Sequence, residues 1–366
     1  IQRALFASQQ RDPRSPMQNM VHLCHIESQI DPDRLAASFA SVVAASDVLR
    51  TQITTNADGE TTVRLSNEPA ATEIVSVPRD DAHAWARRRA GHAIAIGRQA
   101  YDSVILAHED GTVSWYLALH HCVTDAVSST LVFELTGKVY DGHEVDIAPY
   151  YDWPGLSDRG PAHERATHHW AERGPAPRIG QLYEQPRTAG SASRRVPVAV
   201  DDELAAGLGA LIAGRFRSIS PDLSWTTTLL CATAIHLHRI TGAEHFAIGV
   251  PVHNRSRPDA RDLLGPLVEV YPVDVTIEAD DTFATLQKRI GRSLNHTLRF
   301  AIPGTAPATS DVETVVNVLP ELDSATFGSH AAHVDGIHAG ASDPQHLMRV
   351  QLARFGPRQL VLDLNE

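Results

Sequence analysis

Two adjacent histidines, with an aspartate four residues after the second, form the segment with the clearest capacity for chemistry. Residues 120–125 read HHCVTD and lie where an apolar strand gives way to a helix. At such a junction, polar side chains lie at the end of a sheet, beside backbone N–H groups that have no helical partner. A histidine placed there can act as a general base near neutral pH. The structural alternative is a core histidine at His121 and an ordinary helix cap at Asp125.

Two other chemistries fit these residues less well. His121 and Asp125 have a spacing that lets two metal ligands share a helix face, but His121 ends the predicted strand, and no third ligand is marked. A Cys122 nucleophile would need a neighbouring histidine as its base. Adjacent residues of a strand point to opposite faces, so neither histidine is well placed to activate that thiol. We therefore expect no metal at this segment.

The elements on either side of the segment are predicted from hydrophobic periodicity. Residues 112–121 alternate as a strand does, so His121 shares the face of Leu117 and Leu119, and His120 points to the opposite face. Apolar residues recur at every fourth position over 127–139, which predicts a helix that ends near Gly142.

The rest of the chain predicts two halves of mixed α and β structure. Asp31 and Pro32 are a typical cap and first residue for a helix over 31–46. Further helices are predicted over 81–91, 162–173, 202–212, 226–240 and 282–295. Strands are predicted over 48–53, 61–65, 104–107, 194–200, 245–252, 267–277 and 314–319, with a hairpin around Gly356-Pro357. The Pro- and Gly-rich stretch from 142 to 197 indicates a linker between the halves.

Length and composition exclude several classes of protein. The 366 residues allow one large domain or two medium ones, and the 43% hydrophobic content argues against intrinsic disorder. Lys and Arg total 32 against 44 Asp and Glu, a net charge of −12, so we expect neither nucleic acid nor an anionic membrane as partner. The three cysteines lie too far apart for a zinc motif. The sequence has no long apolar run, and its first residues do not show a basic stretch followed by an apolar core. These features predict a soluble cytoplasmic protein, and the start at Ile1 predicts that the natural chain is longer.

The order of several short motifs resembles the condensation-domain superfamily, which includes non-ribosomal peptide condensation domains and related acyltransferases. The HHCVTD segment resembles the family's His-His-x-x-x-Asp-Gly motif. The companion segments are FASQQ (6–10), SDVLRT (46–51), YYDW (150–153), HW (169–170), IGVPVHNR (248–255) and LGPLVEVYP (264–272). They follow one another in the same order as the family's own motifs.

The resemblance implies an α/β (α+β) fold of two chloramphenicol acetyltransferase-like lobes, which form a V-shaped pseudo-dimer with the active-site tunnel between them. It implies an N-terminal lobe over 1–145, a crossing linker over 146–195 and a C-terminal lobe over 196–366. The donor would be an acyl group on the phosphopantetheine arm of an acyl or peptidyl carrier protein, or on CoA, with no cofactor bound. The acceptor would be a small molecule or carrier-bound, and the protein a monomer.

Site roles also follow from the resemblance. His121 would be catalytic, with His120 and Asp125 in structural support and Asp125 paired with Arg255 across the lobes. Such a pair is chemically reasonable, because an arginine fork can hold a carboxylate in two places. The residues expected to contact substrate or pantetheine are Ala126, Ser128, Glu269 and Tyr271. Ala126 replaces the motif's Gly, and Glu269 stands where the later block has Asn.

The function predicted on this basis is amide-bond formation between a carrier-bound acyl or aminoacyl thioester and an amine, in non-ribosomal peptide or hybrid natural-product biosynthesis. One alternative is an O-acyltransferase that forms an ester on an alcohol. Another is a non-catalytic domain that docks carrier proteins, as the departures at Ala126 and Glu269 would allow. Because carrier proteins are generally acidic, docking would rely on local clusters such as Arg87-Arg88-Arg89 or Arg194-Arg195.

Overall fold

The computed structural model describes residues 1–68, 71–175, 177, 179, 190–198, 200–307, 312–319, 326–353 and 359–365. The helices are α1 (Gln2–Arg11), α2 (Pro32–Ala45), α3 (Ala82–Ala90), α4 (Ala126–Tyr140), α5 (Pro161–Arg173), α6 (Asp202–Ala213), α7 (Pro221–Thr241) and α8 (Phe283–Arg299). The strands are β1 (Asn19–Ile26), β2 (Thr51–Thr55), β3 (Thr61–Leu65), β4 (Glu73–Ser76), β5 (Tyr101–Ala107), β6 (Val113–His120), β7 (Ser193–Val198), β8 (His245–Val252), β9 (Glu269–Thr276), β10 (Thr314–Val318), β11 (Thr326–Phe327), β12 (His330–Ile337), β13 (Met348–Ala353) and β14 (Gln359–Asn365). They form two six-stranded sheets and one hairpin, β2-β3.

The first sheet has the order β11-β12-β1-β6-β5-β4 and carries the histidine pair at the end of β6. Every residue of β6 is buried, because helices cover both of its faces. Trp115 and Leu117 pack with Phe39 of α2 and Phe133 of α4 on one face. Tyr116, on the other face, packs with the buried alanines of α3. This two-sided packing fixes the position at which β6 delivers His120 and His121.

The second sheet has the order β7-β14-β13-β10-β8-β9. Helices α7 and α8 pack against it through Leu230, Leu237 and Ile290 in a second core. Strand β8 ends just before Arg255, and β9 begins at Glu269, so this sheet supplies the later motif residues to the site. No helix among the described residues has the length and apolar character required to cross a bilayer.

The predicted helix over 31–46 and strand over 245–252 match α2 and β8 closely. The Asp31 carboxylate accepts hydrogen bonds from the backbone of Asp33 and Arg34, as a helix cap does. The predicted strand over 48–53 begins only at Thr51, because residues 48–50 form a 3-10 turn. The hairpin expected around Gly356-Pro357 lies outside the described residues, although β13 and β14 on either side of it do pair.

One further sequence prediction is wrong in detail. Strand β6 ends at His120, so His121 lies in the turn beyond it and does not follow the alternation of the strand. Strands β11 and β12, which fall in the predicted C-terminal unit 196–366, join the first sheet, where β12 pairs with β1. Pairing between strands that lie so far apart in sequence leaves no local pattern from which it can be recognised. The linker range 146–195 contains the predicted helix, observed as α5.

Candidate active site

The turn between β6 and α4 is held by backbone hydrogen bonds from neighbouring segments. The His120 N–H donates to the carbonyl of Ala100 at 2.8 Å, and the His121 N–H donates to the carbonyl of Gln18 at 2.7 Å. The Val123 N–H closes the turn onto the His120 carbonyl at 2.9 Å. The backbone that carries the two histidines is therefore fixed from both sides.

One hydrogen bond determines the tautomer of His121. Its Nδ1 lies 2.8 Å from the carbonyl oxygen of Thr124, which can only accept, so Nδ1 carries the proton. The neutral ring then has a bare lone pair on Nε2. Burial lowers the pKa of His121 below 6.5, while the Thr124 carbonyl and the Asp125 carboxylate partly oppose that shift. The His121 ring is therefore neutral at pH 7, and Nε2 is the nitrogen that can accept a proton.

His120 has a different environment. It is fully buried, and its Nδ1 accepts the backbone N–H of Cys122 at 3.1 Å. Burial and the neighbouring His121 lower the pKa of His120 to about 3. The His120 ring therefore stays neutral, and it packs inside the protein against the turn. Burial also raises the pKa of the Cys122 thiol to about 12, which removes the thiolate that a cysteine nucleophile requires.

Asp125 caps α4 and connects it to the second half of the chain. Its Oδ1 accepts the N–H of Ser128 at 2.8 Å, as an N-cap side chain does. Its Oδ2 accepts the N–H of Leu267 at 3.0 Å. The Nη2 of Arg255 lies 3.0 and 3.1 Å from the two oxygens. With every side of the carboxylate engaged, Asp125 is not available as a metal ligand.

Arg255 is the centre of this network. Its Nη2 serves both Asp125 oxygens, the Ser128 hydroxyl at 2.8 Å and the Gly265 carbonyl at 2.9 Å. Its Nη1 donates to the carbonyls of Ala260 and Leu263 at 2.8 and 2.6 Å. The sequence predicted a pair held by the two prongs of the guanidinium, but a single nitrogen contacts the carboxylate. The other terminal nitrogen, Nη1, holds the loop after β8 close to Asp125 through its bonds to the Ala260 and Leu263 carbonyls.

Ser128 belongs to the same network. Its hydroxyl donates to the Gly265 carbonyl at 2.8 Å and accepts from Arg255 and from the Gly265 N–H at 2.9 Å. A hydroxyl has one proton and two lone pairs, and all three are used. The geometry therefore argues against the predicted contact of Ser128 with pantetheine.

Glu269 and Tyr271 form a second polar group at the start of β9. Glu269 Oε2 lies 2.9 Å from the Tyr271 hydroxyl, 2.9 Å from the Gly304 N–H and 3.3 Å from Asn254 Nδ2. Burial raises the pKa of Glu269, and these hydrogen bonds oppose the shift. Asn254 Nδ2 also donates to the Leu267 carbonyl at 2.8 Å, so the backbone of Leu267 connects this group to Asp125.

Sequence reasoning missed one supporting contact. The Asp47 carboxylate accepts the backbone N–H groups of Tyr150 and Tyr151, each at 2.9 Å. The Tyr151 hydroxyl lies 2.7 Å from Thr51 Oγ1. The segments 46–51 and 150–153, noted separately as motifs, are thus one structural unit. Only their shared resemblance to one family indicated that they belong together.

Comparison with known proteins gives this arrangement a family. The family model described as "Condensation domain" matches residues 1–301, most of the chain. The chain belongs to the condensation domain family.

Curated relatives of this condensation domain are far larger proteins. It is 23% identical over 401 residues to isonitrile lipopeptide synthase of Streptomyces coeruleorubidus, with 100% of this chain and 26% of that protein covered. It is 19% identical over 311 residues to a dimodular nonribosomal peptide synthase of Bacillus subtilis (strain 168), with 80% of this chain and 13% of that protein covered. The condensation domain therefore spans about a quarter or less of each of these two relatives.

Solved structures confirm the predicted fold class. The first condensation domain of the calcium-dependent antibiotic synthetase, in complex with a substrate analogue, matches with a TM-score of 0.79 at 18% identity, covering 100% of this chain and 89% of that one. The starter condensation domain of rhizomide synthetase, a variant in complex with C8-CoA, matches with a TM-score of 0.81 at 18% identity, covering 100% and 88%. The protein thus has the chloramphenicol acetyltransferase-like fold of condensation domains.

The remaining predicted residues have mixed positions in this condensation domain. Ala126 is half-buried at the first position of α4, next to the turn that carries His121. The two arginine clusters that were predicted to dock a carrier protein are partly neutralised by carboxylates. Arg89 binds Asp102 at 2.7 and 2.9 Å, and Arg195 binds Asp363 at the same two distances. These two arginines have less charge to offer an acidic carrier protein than the sequence suggested.

Proposed function

We propose that this condensation domain joins a carrier-bound acyl or aminoacyl thioester to an amine, with His121 as the base. The observation that carries the proposal is the His121 Nδ1–H bond to the Thr124 carbonyl, which leaves Nε2 free to accept a proton. Membership of a family of acyltransferases supports the reaction class. The donor and acceptor themselves belong to the proposal.

In the proposed reaction the amine nitrogen attacks the thioester carbonyl carbon, and its proton passes to Nε2 of His121. The tetrahedral intermediate carries its negative charge on oxygen, near the first N–H groups of α4, which have no partner within the helix. The C–S bond then breaks, and the pantetheine thiolate leaves and takes the proton from His121. Amide and free thiol are the products, so atoms and charge balance. A general base of this kind contributes roughly 10²- to 10⁴-fold to the rate.

The Asp125–Arg255 network would act indirectly. Asp125 fixes the start of α4, and Arg255 fixes Asp125, so the turn that carries His121 cannot relax. We infer a positioning role for both residues. The likeness to a condensation domain crystallised with C8-CoA supports a CoA-bound donor as an alternative to a carrier-bound one.

The test is intact-mass analysis of a carrier protein loaded with candidate acyl groups, before and after incubation with amine acceptors. Wild-type protein should unload the carrier and yield an amide, and His121→Ala should lower the rate by about 10²- to 10⁴-fold. His168→Ala, an exposed histidine on α5, is the matched control and should retain full activity. Unchanged turnover in folded His121→Ala would refute the proposed base.

Two further readouts separate the alternatives. A product released from the carrier and cleaved by alkaline hydroxylamine would be an ester and would assign the protein to O-acylation, whereas an amide survives this treatment. A carrier that binds but is not unloaded by any donor and acceptor pair would identify a docking domain.

The pH dependence of the reaction tests the proposed base. Because burial lowers the pKa of His121, the acid limb of the kcat/KM profile should have its midpoint below pH 6.5.

A further inference from the structure

A cluster of ligand-type side chains lies on the α3 face of the first sheet. It consists of His25 on β1, His83 on α3, and His333 and Asp335 on β12, and we refer to it as the His25 cluster. His25 pairs across the sheet with Ser114, near the start of β6. The catalytic turn follows the other end of β6, six residues further on, which is about 20 Å along a strand. The His25 cluster is therefore separate from the active site.

The spacing of three ligand-type atoms in the His25 cluster fits a metal ion with tetrahedral coordination. His25 Nε2 and His83 Nε2 lie 3.3 Å apart. Asp335 Oδ2 lies 3.4 Å from the first nitrogen and 3.1 Å from the second. Zinc binds nitrogen and oxygen ligands at about 2.0–2.1 Å, and the ligands of a regular tetrahedron are then about 3.3–3.4 Å apart. The three atoms thus have the spacing of one triangular face of a zinc site.

A chain of hydrogen bonds places the proton of His25 on Nδ1, so that Nε2 presents a lone pair toward His83 and Asp335. The carbonyl of Val77 lies 2.8 Å from His108 Nδ1 and can only accept, so Nδ1 carries the proton and Nε2 of the neutral ring accepts. The Ser114 hydroxyl then donates to His108 Nε2 at 2.7 Å and accepts from His25 Nδ1 at 2.8 Å. His25 therefore has its proton on Nδ1 and none on Nε2. Such a second layer of hydrogen bonds is typical of metal-binding histidines.

The carboxylate of Asp335 is oriented in a similar way. His333 Nε2 lies 2.9 Å from Oδ1, so the other oxygen is the one that faces His25 and His83. His333 is the direct partner of His25 in the pairing of β1 with β12. The side chain of His83 is 47% exposed, which gives an ion and a water ligand access to the cluster from solvent.

We propose that His25, His83 and Asp335 bind a divalent transition-metal ion of the zinc class, with water in the fourth position. Nitrogen ligands favour this class over Mg²⁺ and Ca²⁺, which prefer oxygen. Bound ion would tie α3 and the late strand β12 to β1, so its main effect would be on stability.

The test uses untagged, chelator-treated protein with ZnCl₂ as the probe. Calorimetric titration should give one zinc per chain, and saturating zinc should raise the Tm by about 3 °C. His83→Gln, at an exposed position, and Asp335→Asn should each weaken binding more than about 100-fold, because each removes a ligand. Ser114→Ala, which removes only the support of His25, should weaken it about 10- to 100-fold. His143→Gln, an exposed histidine outside the cluster, should bind as the wild type does.

Two results of the zinc titration would overturn the proposal. One is the absence of stoichiometric zinc binding to the wild type. The other is binding that His83→Gln and Asp335→Asn leave unchanged, since the zinc would then lie elsewhere among the twenty histidines. Cobalt substitution supplies a test independent of stability, because tetrahedral Co²⁺ absorbs visible light strongly and octahedral Co²⁺ weakly. A weak octahedral spectrum would also contradict the proposed geometry.

Discussion

Replacing Arg255 by methionine is the most direct test of the network that holds the turn of His121, the proposed base. Arg255 and Asp125 are 4% and 2% exposed, so water cannot take the place of a lost contact. The guanidinium makes six hydrogen bonds, three of them to backbone carbonyls of the segment 260–265. Methionine retains much of the volume and removes all six.

The expected loss of stability follows from the state of the Asp125 carboxylate once the guanidinium is gone. Asp125 would keep the N–H groups of Ser128 and Leu267 but would remain a buried charge without its counter-ion. Breaking a buried pair from one side costs about 3–5 kcal/mol. A domain is stable by only about 5–15 kcal/mol, so Arg255→Met should fold but lose a large part of its stability. Arg255→Lys should lie in between, because an ammonium group has three donors.

Arg257→Met is the matched control. Arg257 lies two residues away and binds Asp259 at 2.9 and 3.0 Å, but both side chains are about half exposed. An ion pair this exposed contributes little to stability, because water screens the two charges. Urea denaturation of both variants gives the comparison, and the free energy of unfolding should fall at least about 2 kcal/mol further for Arg255→Met.

The transfer assay then separates position from stability. At a temperature where both variants are folded, Arg255→Met should lose kcat through a misplaced His121, and Arg257→Met should not. Equal losses of stability in the two variants would refute the network argument. Full kcat in folded Arg255→Met would refute the positioning role.

Two further predictions concern buried groups. Burial lowers the pKa of His22 to about 4 and of His120 to about 3, so the unfolded chain takes up their protons first as pH falls below 6.5. Urea denaturation from pH 7 to 4 should therefore show stability decreasing by up to about 1.4 kcal/mol per pH unit for each group, and constant stability would contradict this. Gly265→Ala should cost about 2–4 kcal/mol, because φ is +137° and an added Cβ would overlap the Tyr150 ring. Gly142 has φ +90° and open space around it, so Gly142→Ala measures the cost of backbone strain alone. Equal losses of stability in the two variants would exclude a clash with Tyr150.

Local signals were sufficient for much of the fold. Asp31 and Pro32 identify the start of α2 because capping depends only on neighbouring residues. Helix α7 was predicted to begin at Thr226, but it begins at Pro221, where Ser220 caps it. The first turn of α7 is mostly polar, so apolar periodicity does not indicate that the helix already begins there.

The sequence motifs selected residues that lie close together in the structure, but they did not predict how those residues are hydrogen-bonded. The motifs selected His121, Asp125 and Arg255, yet nothing in the sequence shows which arginine nitrogen meets the carboxylate. Nor does it show that the Ser128 hydroxyl is fully used within the protein. Both depend on the loop after β8, whose approach is decided by packing between distant segments.

The place of β12 in the first sheet has a consequence for synthesis on the ribosome. Strand β1 ends at Ile26, but its neighbour β12 begins only at His330. At roughly 5–20 residues per second, about 15–60 s pass before that neighbour is made. Until then one edge of β1 is open to unwanted pairing. For the same reason, a recombinant exchange of the first half of the chain alone would separate two strands that form a single ladder.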